Sequence, residues 1–253
     1  WEQDCTVAYE LDPSNEEAVF KYAGIKERRG DLNAAISLTE SLLPRRVSPI
    51  VQLRLAQLLL QRRGPGDISR GSELLRSRLG DLPQLSPEIC TEYLFWLLDA
   101  ERQTNGLDAA LTLLTEVAEG LVGPESVLLL KAELLRVAGT LEEAIAIARQ
   151  LEPLISVVAG SDITRRTALL LQALGLHHEA LKIWKRIVRT DYIGADTFRA
   201  IDCARQCGDV QFILDVSSRL RTNRIWDKRL FELELSYRAQ YNDTQTEIGI
   251  LQD

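Results

Sequence analysis

Few residues in this chain have the type and spacing to do chemistry. The soft and imidazole ligands are four cysteines, Cys5, Cys90, Cys203 and Cys207, and two histidines, His177 and His178. Cys203 and Cys207 stand four residues apart, so on a helix they share one face and form half of a metal site. A structural zinc site needs four ligands at about 2.0–2.3 Å, and two adjacent histidines in a turn do not readily converge on one ion. The cysteines therefore read as small apolar residues packed between helices, with no metal, cofactor or disulfide framework expected. No Gly-rich phosphate loop ending in Lys-Ser/Thr, no His-Glu-x-x-His and no Gly-x-Ser-x-Gly occurs. No calcium loop with alternate acidic residues occurs either. The expectation is a non-enzymatic stretch with no catalytic residue, flanking enzyme domains aside. Asn242-Asp243-Thr244 matches the N-glycosylation acceptor pattern, but a turn explains it equally.

A second constellation is more promising. Asp99/Arg102, Glu133/Arg136 and Asp202/Arg205 are acid–arginine pairs at i,i+3, each four residues after Phe95, Leu129 or Phe198. On a helix each triplet forms one stripe. The recognition chemistry would be apolar anchors beside guanidinium donors for a partner's carboxylates. The local chemistry would be self-neutralisation, worth about 0.2–0.5 kcal/mol on an exposed helix. Both readings stand, and the local one is the more economical.

The elements that must carry these residues are helices. Residues 51–63, 126–138 and 142–151 place Leu, Ile and Ala at helical spacing between charges. Short Gly-, Asn- or Asp-containing turns separate such segments, and no convincing strand alternation occurs. The turns fall at Gly30, Gly64, Asn105, Gly139, Gly175, Gly208 and Asn242, with gaps of 34, 41, 34, 36, 33 and 34 residues. Five residues past the turns come Ala35, Ala110, Ala144, Ala180 and Ile213, with Gly71 displaced by the Pro65-Gly66 insertion. A small residue there lets two antiparallel helices approach closely. One turn further on stand Leu75, Leu114 and Trp184, with Thr39, Ala148 and Ser217 as weaker members. The longest gap is expected to hold a loop over 80–87, with Ser86 or Pro87 starting the next helix.

A helix–turn–helix unit of about 34 residues with a turn Gly, a small residue after it and a closing Pro resembles the tetratricopeptide repeat family. The closing signature is clearest in Ala8-Tyr9-Glu10-Leu11-Asp12-Pro13-Ser14-Asn15. The early aromatic of the first helix is replaced by Val19, Leu128, Thr164 or Thr197, so the copies are degenerate. The resemblance implies an all-α, right-handed α-solenoid of stacked antiparallel helix pairs. It predicts one array over 1–253: a truncated second helix over 1–13, about six repeats over 16–240, and a partial repeat or cap over 226–253.

It further implies a concave face built from the first helices. Counting back from each turn gives a candidate binding set of Phe20, Arg54, Phe95, Asp99, Arg102, Leu129, Glu133, Arg136, Arg165, Phe198, Asp202 and Arg205. The implied function is a scaffold holding a peptide or protein segment, or else an accessory array of a larger enzyme or assembly, or a peptide-gated regulator. The groove lacks the Lys/Arg and Asn pattern of chaperone-tail clamps and the Asn ladder of nucleotide-sugar transferases.

Composition bounds the remainder. With 253 residues, 45% hydrophobic, 15 Gly and 8 Pro, the chain can bury a substantial core. A net charge of −7 argues against a nucleic-acid surface. No apolar run approaches the roughly 18–20 residues that span a bilayer. The chain opens on Trp1, has no Met and shows no leader, so it is expected to be a piece of a longer, cytoplasmic protein capable of self-association.

Overall fold

A computed structural model describes residues 1–43, 48–118, 120–155, 162–188 and 194–240. Among these residues the regular structure is helical, without a strand. The Asn242 turn, the glycosylation pattern and the end of the expected cap lie outside the described residues.

The chain divides into two compact units, Trp1–Ala138 and Gly139–Asp253. The first contains α1 (Glu2–Leu11), α2 (Glu16–Arg28), α3 (Leu32–Glu40), α4 (Pro49–Arg62), α5 (Asp67–Arg76), α6 (Pro87–Asn105), α7 (Leu107–Ala118) and α8 (Pro124–Ala138). Helices α2/α3, α4/α5 and α6/α7 form consecutive packed pairs, and each pair rests on the next. Helix α1 packs on α2. First helices also touch one another directly, α4 on α6 and α6 on α8. The second unit repeats the plan with α9 (Leu141–Leu151), α10 (Asp162–Ala173), α11 (His177–Ile187), α12 (Ala195–Cys207), α13 (Val210–Thr222) and α14 (Lys228–Gln240), each packed on its successor.

Local chemistry starts and stops these helices. Side chains of Asn15, Asp31, Ser48, Ser86 and Asp209 accept backbone N–H groups of the following first turn, meeting donors that the helix itself leaves unpaired. Pro49 and Pro87 occupy first helical positions, where a missing N–H costs nothing. Gly30, Gly139, Gly175 and Gly208 adopt positive φ at the predicted turns.

Two turns differ from the sequence expectation. Asn105 ends α6 in helical conformation and Gly106 takes the positive φ of 93°. In the preceding repeat Arg63 is left-handed at φ 55° and Gly66 turns at 77°, while Gly64 presents its N–H to Asp67. The expected loop over 80–87 is a 3-10 helix, Leu79–Gln84, followed by Ser86 as cap and a first helix lengthened to 19 residues. Extra sequence is thus absorbed as helix rather than loop. This seals apolar Leu82 inside, where its carbonyl accepts the Cys90 thiol at 3.0 Å.

The small-residue register behaves as predicted. Ala35, Ala110, Ala144, Ala180 and Ile213 have no exposed surface, and Gly71 is buried against Leu60 of α4. The partners one turn on, Thr39, Leu75, Leu114, Ala148, Trp184 and Ser217, are buried as well. In the first unit one apolar cluster joins Leu60 and Leu75 to Tyr93, Leu94, Leu97, Leu98, Leu114 and Leu134.

Candidate functional site

The twelve candidate residues do not form one uniform face. In the first unit, Phe20 on α2 and Arg54 on α4 are brought together. With Lys21, Ile50, Leu53, Gln57 and Glu92 they line an open depression of about 380 Å³ across α2, α4 and α6. Its apolar part is Phe20, half-buried, Leu53, nearly buried, and Ile50, 45% exposed. Phe20 packs on the cluster of Val19, Leu42 and Val51, which fixes its position.

A hydrogen-bonded row tracks the same three helices. The Arg54 guanidinium pairs with Glu27 at the far end of α2 and donates from Nη1 to Gln57 Oε1 at 3.4 Å. Gln57 in turn donates from Nε2 to Glu92 Oε1 on α6 at 2.7 Å. Lys21 is held by Glu17 at 2.6 Å, one turn back on its own helix. That contact raises the Lys21 pKa and lowers that of Glu17. Both cations of the depression are therefore already matched, whereas Glu92 receives an amide and no cation among the described residues.

The other candidates of this unit are engaged differently. Asp99 is nearly buried and accepts Arg102 Nε at 3.0 Å and Nη2 at 2.7 Å on one oxygen, and Gln103 Nε2 at 2.8 Å on the other. The Arg102 guanidinium is thus committed to its own helix, which is the local chemistry. Phe95 stands half-buried, edge-on to Trp96 with centroids 5.4 Å apart. Leu129 has no exposed surface, which corrects its assignment as an anchor: a side chain closed off from solvent offers a partner nothing. Glu133 and Arg136 are half-buried on α8.

In the second unit, Arg165 of α10 donates Nε to Asp196 of α12 at 2.8 Å. Phe198 lies beneath the Arg229 guanidinium of α14, 4.0 Å from its ring centroid, a cation–π contact between successive first helices. Asp202 and Arg205 are both exposed, and no ion pair joins them among the described residues.

Sequence reasoning missed Ile50, Leu53, Gln57 and Glu92. The available signal was opposite charge at staggered positions of consecutive repeats, Glu27 three residues before one turn and Arg54 ten before the next.

The thiols do not assemble a site. Cys5, Cys90 and Cys203 are buried and Cys207 is half-buried, all unbridged. Burial pushes the Cys203 thiol up to about 11 and raises Cys90, which leaves both as protonated core residues. Among the described residues no group of three or more His, Cys, Asp or Glu is placed to hold a metal. No helix among them is long and apolar enough to cross a membrane.

Paired helices at a period near 34 residues, glycine-turned and packed through a recurring small residue, define an all-α helix-pair repeat fold that resembles tetratricopeptide arrays. No family model and no curated protein matches the chain. Similar solved structures include TTC0263, a thermophilic TPR protein in Thermus thermophilus, at 19% identity and TM-score 0.45, covering 76% of this chain and 99% of that one. A tetratricopeptide repeat protein from Parabacteroides merdae is 15% identical at TM-score 0.44, covering 100% and 91%. The RpL4 assembly chaperone Acl4 is 18% identical at TM-score 0.46, covering 83% and 90%. At such identities and scores these likenesses carry no argument about partners, and the class rests on the repeat itself.

Proposed function

We propose that this chain is a non-enzymatic scaffold that holds a peptide or protein segment against its first-helix faces. The observation that carries the reading is the depression over α2, α4 and α6. Ile50 stands 45% exposed beside half-buried Phe20 there, while the flanking cations are neutralised from within. Covering the exposed part of an Ile side chain is worth about 1 kcal/mol, and Phe20 adds to it. The surrounding helices hold these groups without needing the partner, so little ordering cost falls on the scaffold side. Recognition would then come from shape and apolar contact, with no bond made or broken.

The test is selection of random displayed peptides against the chain, followed by anisotropy titration of the recovered sequences. Binding should be lost in Ile50→Asp, a surface change that leaves circular dichroism unaltered. Amide exchange should slow in α2 and α4 when peptide is present. Peptides that bind Ile50→Asp as well as the parent chain would overturn the reading.

A further inference from the structure

We infer that the segment accommodated by this depression carries a Lys or Arg next to its apolar anchor, and that Glu92 is the residue that receives it. The inference rests on the groove reading above and adds the partner's charge. The charges at the depression are Lys21 and Arg54 against Glu17, Glu27 and Glu92. Two of the three carboxylates are matched by the two cations, Glu17 by Lys21 and Glu27 by Arg54. The third, Glu92, is exposed and has no cation within ion-pair distance among the described residues. One negative charge is therefore left over beside an apolar surface.

That charge is also aimed. Glu92 sits in the second turn of α6, and its Oε1 accepts Gln57 Nε2 at 2.7 Å. Gln57 is itself nearly buried, and its Oε1 is occupied by Arg54. The amide is thus oriented with its NH2 toward Glu92, and one carboxylate oxygen is tied down while the other stays available. A carboxylate fixed by a buried amide loses less side-chain freedom on pairing than a loose one, which favours a charge-assisted contact. A partner carboxylate would meet the opposite situation. Lys21 and Arg54 are each already paired with a carboxylate of the chain, and Glu92 would repel it. An acidic segment is therefore disfavoured at this depression.

The experiment uses the full 253-residue chain and peptides selected from a random displayed library, titrated by fluorescence anisotropy at low and high salt. Expected are peptides with an aliphatic or aromatic residue flanked by Lys or Arg, whose affinity falls with salt. Glu92→Gln, which keeps the hydrogen bond to Gln57, should weaken them roughly fivefold, the size of one half-exposed charge pair. Glu92→Lys should weaken them further and bind the charge-swapped peptides, with Glu for Lys, better than the parent chain does. Acidic flanks among the recovered peptides, or an unchanged affinity in Glu92→Gln while Ile50→Asp abolishes binding, would overturn the inference and leave the groove standing. Binding that survives Ile50→Asp, or a library that yields no binder, would overturn the groove and this inference together. The reversal by charge swap guards against a variant that merely misfolds.

Discussion

Tyr93→Phe isolates one hydrogen bond that ties two consecutive repeats. Tyr93 on α6 is fully buried, and its hydroxyl donates to the Leu75 carbonyl at 2.8 Å and approaches that of Leu74 at 3.4 Å. Both carbonyls lie near the end of α5, where acceptors have lost their intrahelical donors. Neither depends on Tyr93 alone: Leu75 O also accepts Arg78 N at 3.3 Å, and Leu74 O accepts Ser77 Oγ at 2.8 Å. Removing the hydroxyl therefore deletes one buried neutral bond without orphaning an acceptor, a loss of about 1 kcal/mol, against up to ~3 kcal/mol if the carbonyls were stranded. The ring and its packing among Leu94, Leu97 and Leu114 are kept, so no cavity term enters. In urea, with a slope of ~2–3 kcal/mol/M for a chain of this size, the midpoint should drop by roughly 0.3–0.5 M at unchanged slope. Tyr93→Leu, which also empties part of the core, should fall further. A Phe variant as stable as the parent would show that the α5–α6 junction gains nothing from this bond. A loss of ~3 kcal/mol would show that Arg78 and Ser77 do not cover the carbonyls as drawn.

Two further predictions concern the insertion after α4. Asp67 is almost wholly buried, accepting Arg62 Nη2 at 2.6 Å, Arg62 Nε at 2.8 Å and Gly64 N at 2.7 Å; the Arg62 contact foremost, then the Gly64 amide, hold its pKa below the usual carboxylate value. A depressed carboxylate contributes stability above its unfolded pKa and loses it as pH falls through the folded one, so Asp67→Asn should lower the melting temperature near neutrality and converge on the parent below about pH 4; curves that stay parallel there would refute it. Gly71→Ala should be destabilising despite a helix-propensity gain of about 1 kcal/mol, because the new Cβ would lie 3.2 Å from Leu60 Cγ and 3.4 Å from Cδ2; in a Leu60→Ala background the same change should stabilise, and identical effects in both backgrounds in a denaturation cycle would refute the contact.

Period and hairpin register were legible because each is enforced at a crowded contact. Ala35, Ala110, Ala144 and Ala180 cannot be larger without separating two helices, so the pattern survives where the aromatic signature has decayed. Turn residues were legible only to within a position, since several residues can end a helix: Gly106 rather than Asn105, and Arg63 with Gly66 rather than Gly64. The offset from the turn does not by itself decide exposure. Gly139 turns where expected, yet Leu129, ten residues before it, is enclosed, whereas Arg54 reaches the depression although its own turn is displaced. Glu92 and Gln57 escaped because their significance is relational. Neither is unusual on its own helix, and only the stagger between α4 and α6 brings them to 2.7 Å.

The same stagger decides which residues can report on binding. Ties between neighbouring repeats run along both rows of helices: Glu27–Arg54 and Gln57–Glu92 on the first-helix row, and Glu40–Arg70 on the second. The second unit has Arg165–Asp196 and Lys185–Asp209 in the corresponding rows. In an array whose stability is a sum of intrinsic and nearest-neighbour terms, removing Arg54 would loosen the α2–α4 interface and strip the depression of a lining group at once. Its phenotype would conflate folding with recognition. Glu92→Gln conserves the neighbour contact through the amide and changes only the charge presented outward. A loss of affinity there, at constant stability, speaks for recognition alone.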